Sequence, residues 1–364
     1  MSSLLGAIDR SKWQPVALLG QAGPLAEALE RAKVPVDIVR MPAVLANTRQ
    51  GDIGIATSLS PRRVKSTISY VARLAIRFRQ RRIDMIHTNS LKACVLAGFA
   101  GRLEGIPVIW QIHSVLGSPA MSSDGRKLML RLSRWLPAHI ICNSHTTAAD
   151  FELVSDRVSV IPVGVDTSRF SADRTERNGH AVVGMVARFG PIKGQHVFVQ
   201  AAQGLATAYP SAEFVVAGTS LFGEESYELE VQEAARSRGG QSVRFLGFVD
   251  DVPALMTTLD VVVSPSTKPE GFGQSIVEAM LAGKAVIASA AGGPTELIED
   301  GVTGRLVPPG DVLALTRAIS ELLDDPAEAA AMGRRARERA TKLYDIRETA
   351  RLVEAVYERV LSRR

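Results

Sequence analysis

Residues 261–278 read V-V-V-S-P-S-T-K-P-E-G-F-G-Q-S-I-V-E, and no other stretch indicates the fold as clearly. A β-branched run from Val261 to Ser264 is followed by a turn with Gly271 and Gly273, and then by a helical pattern that ends near Gly283. Strand, turn and helix in this order begin a βαβ crossover, because parallel strands need a long connection and a helix usually supplies it. We therefore expect a parallel sheet covered by helices.

The same order recurs along both halves of the chain. Short β-branched runs alternate with helical patterns, which predicts an α/β fold of two Rossmann-like, doubly wound parallel-sheet domains. Such sheets bind ligands beyond the carboxyl ends of their strands, so we expect the site in a cleft between the two domains. The predicted strands span residues 15–19, 36–39, 85–88, 108–112, 139–143, 181–186, 213–217, 243–246, 261–264, 285–289 and 303–307.

A polar stretch separates the two halves. Residues 171–180, S-A-D-R-T-E-R-N-G-H, have no apolar periodicity, which is typical of a linker. We therefore predict an N-terminal domain at 1–172, a C-terminal domain at 173–340 and a helical segment at 341–364. The apolar side of the C-terminal helical region comprises Leu343, Ile346, Leu352, Val356 and Val360.

The composition indicates a folded protein and excludes several classes. The chain has 364 residues, of which 46% are apolar and 22% charged, as in globular proteins. Its longest apolar runs are shorter than the roughly 18 residues of a membrane span. Its cysteines, Cys94 and Cys142, form neither a disulfide framework nor a zinc motif. We expect a cytoplasmic location.

Positive charge is concentrated in the first half of the chain. Residues 1–175 hold 23 Lys and Arg against 13 Asp and Glu, and the rest of the chain holds 20 against 25. Much of the excess lies in Pro61 to Arg82, which mixes basic residues with apolar residues at helical spacing. Such a helix is either a solvated surface helix or a peripheral contact with the anionic inner face of the membrane. Nucleic acid is disfavoured, because aromatic residues are not interleaved with the basic ones. The predicted apolar set is Val64, Ile68, Val71, Leu74, Ala75 and Phe78.

Two carboxylates bracket the glycine turn at 270–278. The N–H groups of Gly273, Gln274 and Ser275 at the helix start suit a phosphate. A carboxylate near a phosphate is best explained as an acceptor for hydroxyl donors, such as a ribose diol or a sugar. Glu270 and Glu278 are therefore candidate sugar-binding residues, although each could also be an ordinary loop or helix residue.

A second motif supplies positive charge. In V-V-G-M-V-A-R-F-G-P-I-K-G, residues 182–194, a strand leads to Arg188 and Lys193 opens the next helix. These two cations can stabilise the charge that develops on a departing diphosphate. No two aspartates stand two residues apart in this chain, so the D-x-D metal motif is absent and we expect no metal and no cofactor.

Other phosphate-binding motifs are missing. Gly283-Lys284 lacks the earlier glycine and the following Ser or Thr of a P-loop, and no G-x-G-x-x-G follows any strand. The sequence therefore disfavours an ATPase and a dehydrogenase.

Several blocks together resemble the retaining glycosyltransferases of family 4, which have the GT-B fold. The similarity extends from about residue 14 to the end of the chain and is strongest in the C-terminal half. The blocks are I-P-V-G-V-D-T-S-R-F at 161–170, A-R-F-G-P-I-K-G at 187–194, S-T-K-P-E-G-F-G-Q-S-I-V-E-A-M-L-A-G-K-A-V-I-A-S at 266–289 and G-G-P-T-E-L-I-E-D-G-V-T-G at 292–304.

The resemblance implies a function. It implies a nucleotide-sugar donor, such as a UDP-sugar or a GDP-sugar, and a sugar or lipid-linked acceptor in polysaccharide, lipopolysaccharide or glycolipid assembly. Retention of configuration resembles a same-face substitution, in which the leaving phosphate helps to deprotonate the acceptor hydroxyl and no protein nucleophile is needed. The final helix resembles the element that crosses back from the second domain to the first.

The resemblance also assigns roles to residues. Arg188 and Lys193 would bind the donor diphosphate, and Glu278 the ribose hydroxyls. His113, just after the strand at 108–112, stands where the family places a histidine beside the reacting sugar, although a structural histidine is an equal alternative. The residues implied to line the transferred sugar are Glu270, Gly271, Phe272 and Gly273.

The chain departs from the family pattern at its start. The family opens with a strand, a glycine-rich loop and a helix before the strand predicted at 15–19, whereas only residues 1–12 precede that strand here. Residues 3–10, S-L-L-G-A-I-D-R, resemble the end of that helix. We therefore expect that the first strand and glycine loop, about 20 residues, are missing.

Two rival functions are weighed. The expected loss of the first strand motivates a noncatalytic glycosyltransferase-like protein that binds nucleotide or a partner, but the intact Arg188, Lys193, Glu270 and Glu278 argue against it. A nucleotide-sugar epimerase of the same fold would also bind the donor but transfer nothing, and the ordered family 4 blocks disfavour it.

Overall fold

The computed structural model describes residues 2–46, 60–117, 121–170, 180–221, 223–236 and 243–363. The chain divides into two compact units. The first unit comprises Met1–Gly164 and Ile346–Arg364, and the second comprises Val165–Asp345. The boundaries expected from the sequence, at 172/173 and 340/341, differ from these divisions by eight and five residues.

The first unit contains two parallel sheets. Strands β1, Ala17–Leu19, and β2, Val36–Ile38, form a pair. The second sheet has four strands in the order β3-β4-β5-β6, and every pairing in it is parallel. These strands are β3 Ile86–Thr88, β4 Val108–Ile112, β5 His139–Cys142 and β6 Val158–Val160.

Helices cover these sheets. The helix Ile346–Ser362 packs in this unit, where Val353 and Val356 lie in one buried cluster with Ile109 and Ile141 of the sheet. A 3-10 segment, Ala149–Arg157, precedes β6. The other helices of the first unit are Ser2–Ala7, Pro24–Arg31, Ala43–Ala46, Pro61–Gln80, Leu91–Glu104, Ser123–Ser133 and His145–Ala148.

The second unit has one sheet of six parallel strands in the order β12-β11-β10-β7-β8-β9. Every residue of β10 and β11 is buried, as expected for inner parallel strands covered on both faces. The strands are β7 Val182–Val186, β8 Glu213–Ala217, β9 Arg244–Gly247, β10 Val261–Ser264, β11 Ala285–Ser289 and β12 Arg305–Val307.

The helices of the second unit follow its strands in turn. Two 3-10 turns, Thr167–Arg169 and Pro191–Lys193, accompany them. The α-helices are Gln195–Leu205, Glu225–Arg236, Val252–Thr257, Gln274–Leu281, Pro294–Leu297, Val312–Asp324 and Pro326–Leu343.

The prediction of two parallel α/β domains is confirmed, and each of the eleven predicted strands lies within two residues of an observed one. The sequence analysis missed β6. This V-S-V run is short and follows a 3-10 segment, so it lacks a helical pattern in front of it. The predicted linker at 171–180 lies outside the described residues, apart from His180.

The helix expected within Pro61 to Arg82 is present, and it ends at Gln80. Of its predicted apolar set, Val71, Leu74, Ala75 and Phe78 are buried. Val64 and Ile68 are instead 37% and 64% exposed. Val64 and Ile68 each stand seven residues before a buried residue, Val71 and Ala75, so they lie on the same side of the helix and are exposed because they belong to its N-terminal half.

The prediction of a single C-terminal apolar side needs a similar correction. Asp345 separates the helices Pro326–Leu343 and Ile346–Ser362. Leu343 is 42% exposed, whereas Ile346, Val356 and Val360 are buried. No helix among the described residues is long and apolar enough to cross a membrane.

Candidate active site

The strand order of the second unit reverses between β7 and β10. From β7 the chain continues to β8 and β9 on one side, and from β10 to β11 and β12 on the other. Loops leave the carboxyl ends of the two central strands in opposite directions at such a switch point, and a crevice opens between them. The loop after β7 carries Arg188 and Lys193, and the loop after β10 carries Glu270.

Backbone contacts hold these two loops together. The Thr267 N–H donates to the Ile192 carbonyl at 2.9 Å, and its hydroxyl donates to the Pro191 carbonyl at 3.2 Å. Gly194 has a φ of 81°, and a Cβ there would lie 2.0 Å from the Pro265 carbonyl oxygen. Only glycine fits this approach, which fixes Lys193 beside the β10 loop.

Lys193 and Glu270 form an ion pair. Lys193 Nζ lies 2.8 Å from Glu270 Oε1, and both side chains are largely buried. The Ser266 hydroxyl donates to the same oxygen, and Ser266 is 2% exposed. Sequence reasoning missed Ser266. It stands two residues beyond β10, as Arg188 stands two residues beyond β7, and this shared position was the available signal.

Arg188 is positioned through its own main chain. Its carbonyl accepts a hydrogen bond of 2.8 Å from the Gln195 side chain, and Gln195 is fully buried. Its half-buried guanidinium lies close to Gly190, where a Cβ would stand 3.2 Å from Nη1. Arg188 and Lys193 therefore share one short loop, so both cations stand at the switch point.

The helix Gln274–Leu281 begins at the same edge. Gly273 caps it with a φ of 111° and without a side-chain acceptor for the first-turn N–H groups. Phe272 is 6% exposed and stacks edge-on against Tyr344, with 5.9 Å between ring centroids. Ser275 is half-buried and Gln274 is exposed. The buried side of the helix comprises Ile276, Val277, Met280 and Leu281.

Glu278 lies one turn further along, half-buried. Burial raises the pKa of its carboxyl, although a hydrogen bond from Gln274 and the positive charge of Arg169 act in the opposite direction. The Gln274 amide donates to Glu278 Oε1 at 2.8 Å. Arg169, which sequence reasoning missed, is exposed at the end of the turn Thr167–Arg169.

A third loop, which contains Gly292 and Gly293, packs against the backbone of Glu270 and Phe272. The Gly293 N–H donates to the Glu270 carbonyl at 2.8 Å. A Cβ at Gly292 would lie 2.3 Å from that carbonyl oxygen, and a Cβ at Gly293 would lie 2.3 Å from the Phe272 carbonyl oxygen. The G-G-P segment therefore packs backbone to backbone against the strip that includes Gly271.

His113 belongs to the first unit, whereas all the other candidate residues belong to the second. It directly follows β4, is half-buried, and its Nε2 lies 2.7 Å from Asn89 Oδ1. Burial lowers the pKa of its imidazole from the usual value. The neutral imidazole is therefore favoured near neutral pH.

Carboxylates, histidines and cysteines do not cluster as metal ligands do. Within the described parts of the chain, no group of three or more such side chains could hold a metal ion. The charged groups at the switch point are instead one carboxylate and two cations, which suits an anionic ligand with hydroxyl groups.

Two protein-family models together match residues 24–339. The model of "Glycosyl transferases group 1" matches residues 166–339, and the model of "Glycosyltransferase Family 4" matches residues 24–169. The 2-deoxystreptamine glucosyltransferase of Streptomyces kanamyceticus is 32% identical over 306 residues, which cover 76% of this chain and 77% of that protein. The chain belongs to the group 1, family 4 glycosyltransferases.

Two further relatives are informative. The phosphatidyl-myo-inositol mannosyltransferase of Mycolicibacterium smegmatis is 35% identical over 284 residues, which cover 76% of this glycosyltransferase and 65% of that one. The crystal structure of Anabaena HepE in complex with UDP and glucose superposes with a TM-score of 0.83 at 27% identity, and it covers 98% of this chain and 95% of HepE. The two parallel-sheet α/β units are those of the GT-B fold.

Proposed function

We propose that this glycosyltransferase moves a sugar from a nucleotide-diphosphate sugar, such as a UDP-sugar or a GDP-sugar, to a hydroxyl of a sugar or lipid-linked acceptor. The observation that carries the proposal is the arrangement at the switch point, where Arg188, Lys193, Glu270 and an uncapped helix start share one edge of the sheet. HepE, which this chain resembles over nearly its full length, was crystallised with UDP and glucose.

The two cations suit the diphosphate. When the glycosidic bond to the donor breaks, the departing nucleoside diphosphate gains negative charge, and preorganised positive groups stabilise it. The ion pair between Lys193 and Glu270 offsets the cost of holding a cation there before the donor binds. Donor binding then gives the ammonium a second anionic partner.

Glu278 is the proposed ribose acceptor. Its half-buried carboxylate stands on the exposed side of the helix that starts at Gly273. Two ribose hydroxyls can donate to one carboxylate, and hydrogen bonds to a charged group are the stronger kind. The Gln274 amide, which already donates to this carboxylate, fixes its orientation.

Transfer is proposed to retain the anomeric configuration. The anomeric carbon loses its bond to the β-phosphate oxygen and gains one to the acceptor oxygen on the same face, and the acceptor proton passes to the leaving phosphate. Glu270 is not required as a nucleophile, because this same-face substitution forms no bond to the protein. Its Oε1 accepts from Lys193 and Ser266. It is proposed to position the transferred sugar, together with Gly271, Phe272 and Gly273.

Product analysis separates this proposal from its rivals. The purified chain would be incubated with labelled UDP- and GDP-sugars and a panel of sugar and lipid-linked acceptors, and the products resolved by NMR. A new α-linkage from an α-linked donor supports retaining transfer. An inverted linkage, an epimerised donor, or donor binding without any product would each contradict it, the last two in favour of the epimerase and the noncatalytic protein.

Transfer is proposed to need no metal. Arg188 and Lys193 supply the positive charge that a divalent ion supplies elsewhere. The rate should therefore be unchanged after treatment with EDTA, and added magnesium or manganese should not increase it. A rate that depends on either ion would overturn this part of the proposal.

The surface of the helix Pro61–Gln80 suits a lipid-linked acceptor. The helix exposes Ile68 and Ile76, at 64% and 53%, and it also exposes the basic residues Arg62 and Lys65. Exposed apolar side chains beside basic ones suit an anionic bilayer surface, because burial of the apolar groups and attraction to headgroups add together. We propose peripheral membrane contact through this helix.

Vesicle binding tests the membrane proposal. The chain should sediment with vesicles containing phosphatidylglycerol but not with pure phosphatidylcholine vesicles, and Ile68→Glu should abolish sedimentation. Leu313→Glu, which changes a leucine that is 74% exposed in the second unit, is the matched control and should bind normally. Equal behaviour of both variants would show that the helix is simply solvated.

A further inference from the structure

Three neighbouring strands of the first unit are each followed directly by a polar residue. Asn89 follows β3, His113 follows β4 and Asn143 follows β5. Because β4 and β5 pair Ile112 with Cys142, the next residues, His113 and Asn143, stand side by side at the carboxyl edge. Thr88 of β3 pairs with Trp110, so Asn89 is level with Gln111, and its side chain reaches His113 two residues further along. The three residues Asn89, His113 and Asn143 are called the row below.

The row holds the His113 main chain rigidly. Asn143, 3% exposed, donates from Nδ2 to the His113 carbonyl at 3.2 Å and accepts from the Thr147 hydroxyl at 3.0 Å. Three residues downstream, the Leu116 N–H donates to Asp150 Oδ2 at 2.8 Å. The backbone is thus fixed on both sides, which leaves the orientation of the imidazole ring to its own hydrogen bond.

That hydrogen bond comes from one direction only. The carboxamide oxygen of Asn89 lies 2.7 Å from His113 Nε2. With the Asn89 amide in this orientation, its oxygen accepts from Nε2–H, and the neutral ring then has its lone pair on Nδ1. Within the part of the chain that the structure describes, no hydrogen bond reaches Nδ1.

We propose that Asn89 is a positioning residue, which holds His113 in the neutral Nε2–H tautomer so that Nδ1 accepts a hydrogen bond from a substrate hydroxyl. The proposal rests on the proposed glycosyltransferase function for the identity of that substrate, but not for the tautomer itself. A fixed tautomer matters because only a nitrogen with a lone pair can accept a hydrogen bond from a hydroxyl. The other tautomer would present an N–H at Nδ1 instead.

The surroundings favour the neutral ring. Burial lowers the pKa of His113. One neighbouring titratable group is His87 on β3, which is itself neutral near pH 7, because burial lowers its pKa to about 4. His87 is held separately, between the Tyr357 hydroxyl at 2.6 Å and Gln111 Oε1 at 2.7 Å. Asn89, directly after β3, is therefore the group that sets the His113 tautomer.

The tautomer can be read without any substrate. Long-range ¹⁵N–¹H correlation spectra of protein labelled with ¹⁵N-histidine distinguish Nε2–H from Nδ1–H, and the His113 signals are those lost in His113→Gln. The wild type should show Nε2–H, Asn89→Ala a mixture of both forms, and Asn89→Asp a return to Nε2–H at about pH 9, where the imidazole is neutral. Gln80→Ala, which removes another exposed amide of this unit, should leave the spectrum unchanged.

Kinetics test the substrate-facing half. In the transfer assay Asn89→Ala should lower kcat about tenfold, the effect of one hydrogen bond, without changing donor affinity. Asn89→Asp should recover most of the rate at about pH 9. A wild-type Nδ1–H signal, or identical spectra of wild type and Asn89→Ala, would overturn the tautomer assignment even in an inactive protein. An altered tautomer with an unchanged kcat would overturn the role toward substrate.

Discussion

Within each unit, the loops at the carboxyl edge of the sheet are held in place in a different way. In the second unit, loops approach one another through glycines, with Gly194 against Pro265 and Gly292 against Glu270. In the first unit, side chains make the connections, with Asn89 holding the His113 ring and Asn143 its carbonyl. Backbone packing leaves the second edge free to present Arg188 and Lys193, whereas the first edge presents neutral groups.

This difference fits two chemical tasks. A diphosphate needs positive charge that is already in place, since reorienting solvent or side chains during the reaction is costly. Sugar hydroxyls need acceptors in fixed directions, because a wrongly placed donor rejects them. We infer that the second unit supplies cations for the leaving group and carboxylates for hydroxyls, whereas the first unit supplies a neutral acceptor.

Replacing a glycine at the second edge should have the largest effect. Gly194→Ala places a Cβ against the Pro265 carbonyl oxygen at a φ of 81°, which side chains rarely adopt. We expect the free energy of unfolding to fall by more than about 2 kcal/mol and donor binding to be lost. Chemical denaturation and calorimetric titration with donor would measure both.

Gly204→Ala is the matched control for this experiment. Gly204 lies in the helix Gln195–Leu205 of the same unit, and a Cβ there would meet Thr316 at 3.9 Å, an ordinary contact. This variant should be as stable as the wild type or up to about 1 kcal/mol more stable. If both variants behaved alike, the tight approach of the two loops would not matter.

Removing the ammonium group should have the next largest effect. Lys193→Ala should lower kcat by roughly 100-fold or more, because a preorganised charge at the leaving group acts mainly in the transition state. Lys268→Ala is the control, since Lys268 is exposed on the neighbouring loop. A change confined to KM would mean that Lys193 binds the donor in the ground state but does not stabilise the transition state. The two edges would then differ only in what they bind.

Much of the fold was predictable, and the reason lies in the kinds of residue involved. Buried parallel strands such as Val261–Ser264 are apolar throughout, and tight loop contacts require glycine, so both leave a pattern in the sequence. Asn89 and Asn143 leave none, because asparagine is common in ordinary loops. The exposure of Ile68 could not be predicted either, since its spacing also fits a buried helix face.

Glu278 offers a test of intermediate size. Glu278→Ala should weaken donor affinity about 10-fold to 100-fold, since two hydroxyls lose a charged acceptor. In the wild type, donor affinity should fall as the pH decreases through the raised pKa of Glu278, because protonation removes the same acceptor. Calorimetric titration at several pH values would measure this. An unchanged affinity in the variant would contradict the ribose role.

The smallest expected effect concerns stability rather than binding. Burial raises the pKa of Glu278, so above that pKa the folded chain carries a charge that would be better solvated in the unfolded state. Glu278→Gln should therefore raise Tm slightly near neutral pH. The difference should vanish as the pH falls below the unfolded value, where the carboxyl is neutral in both states.

Glu338→Gln is the control for that comparison, because Glu338 is exposed on the helix Pro326–Leu343. Its Tm should match the wild type at each pH. A Glu278→Gln variant that is less stable at neutral pH would mean that Gln274 and Arg169 outweigh burial. The Glu278 carboxylate would then stabilise the fold. Holding a charged group for the ligand would in that case not lower the free energy of unfolding.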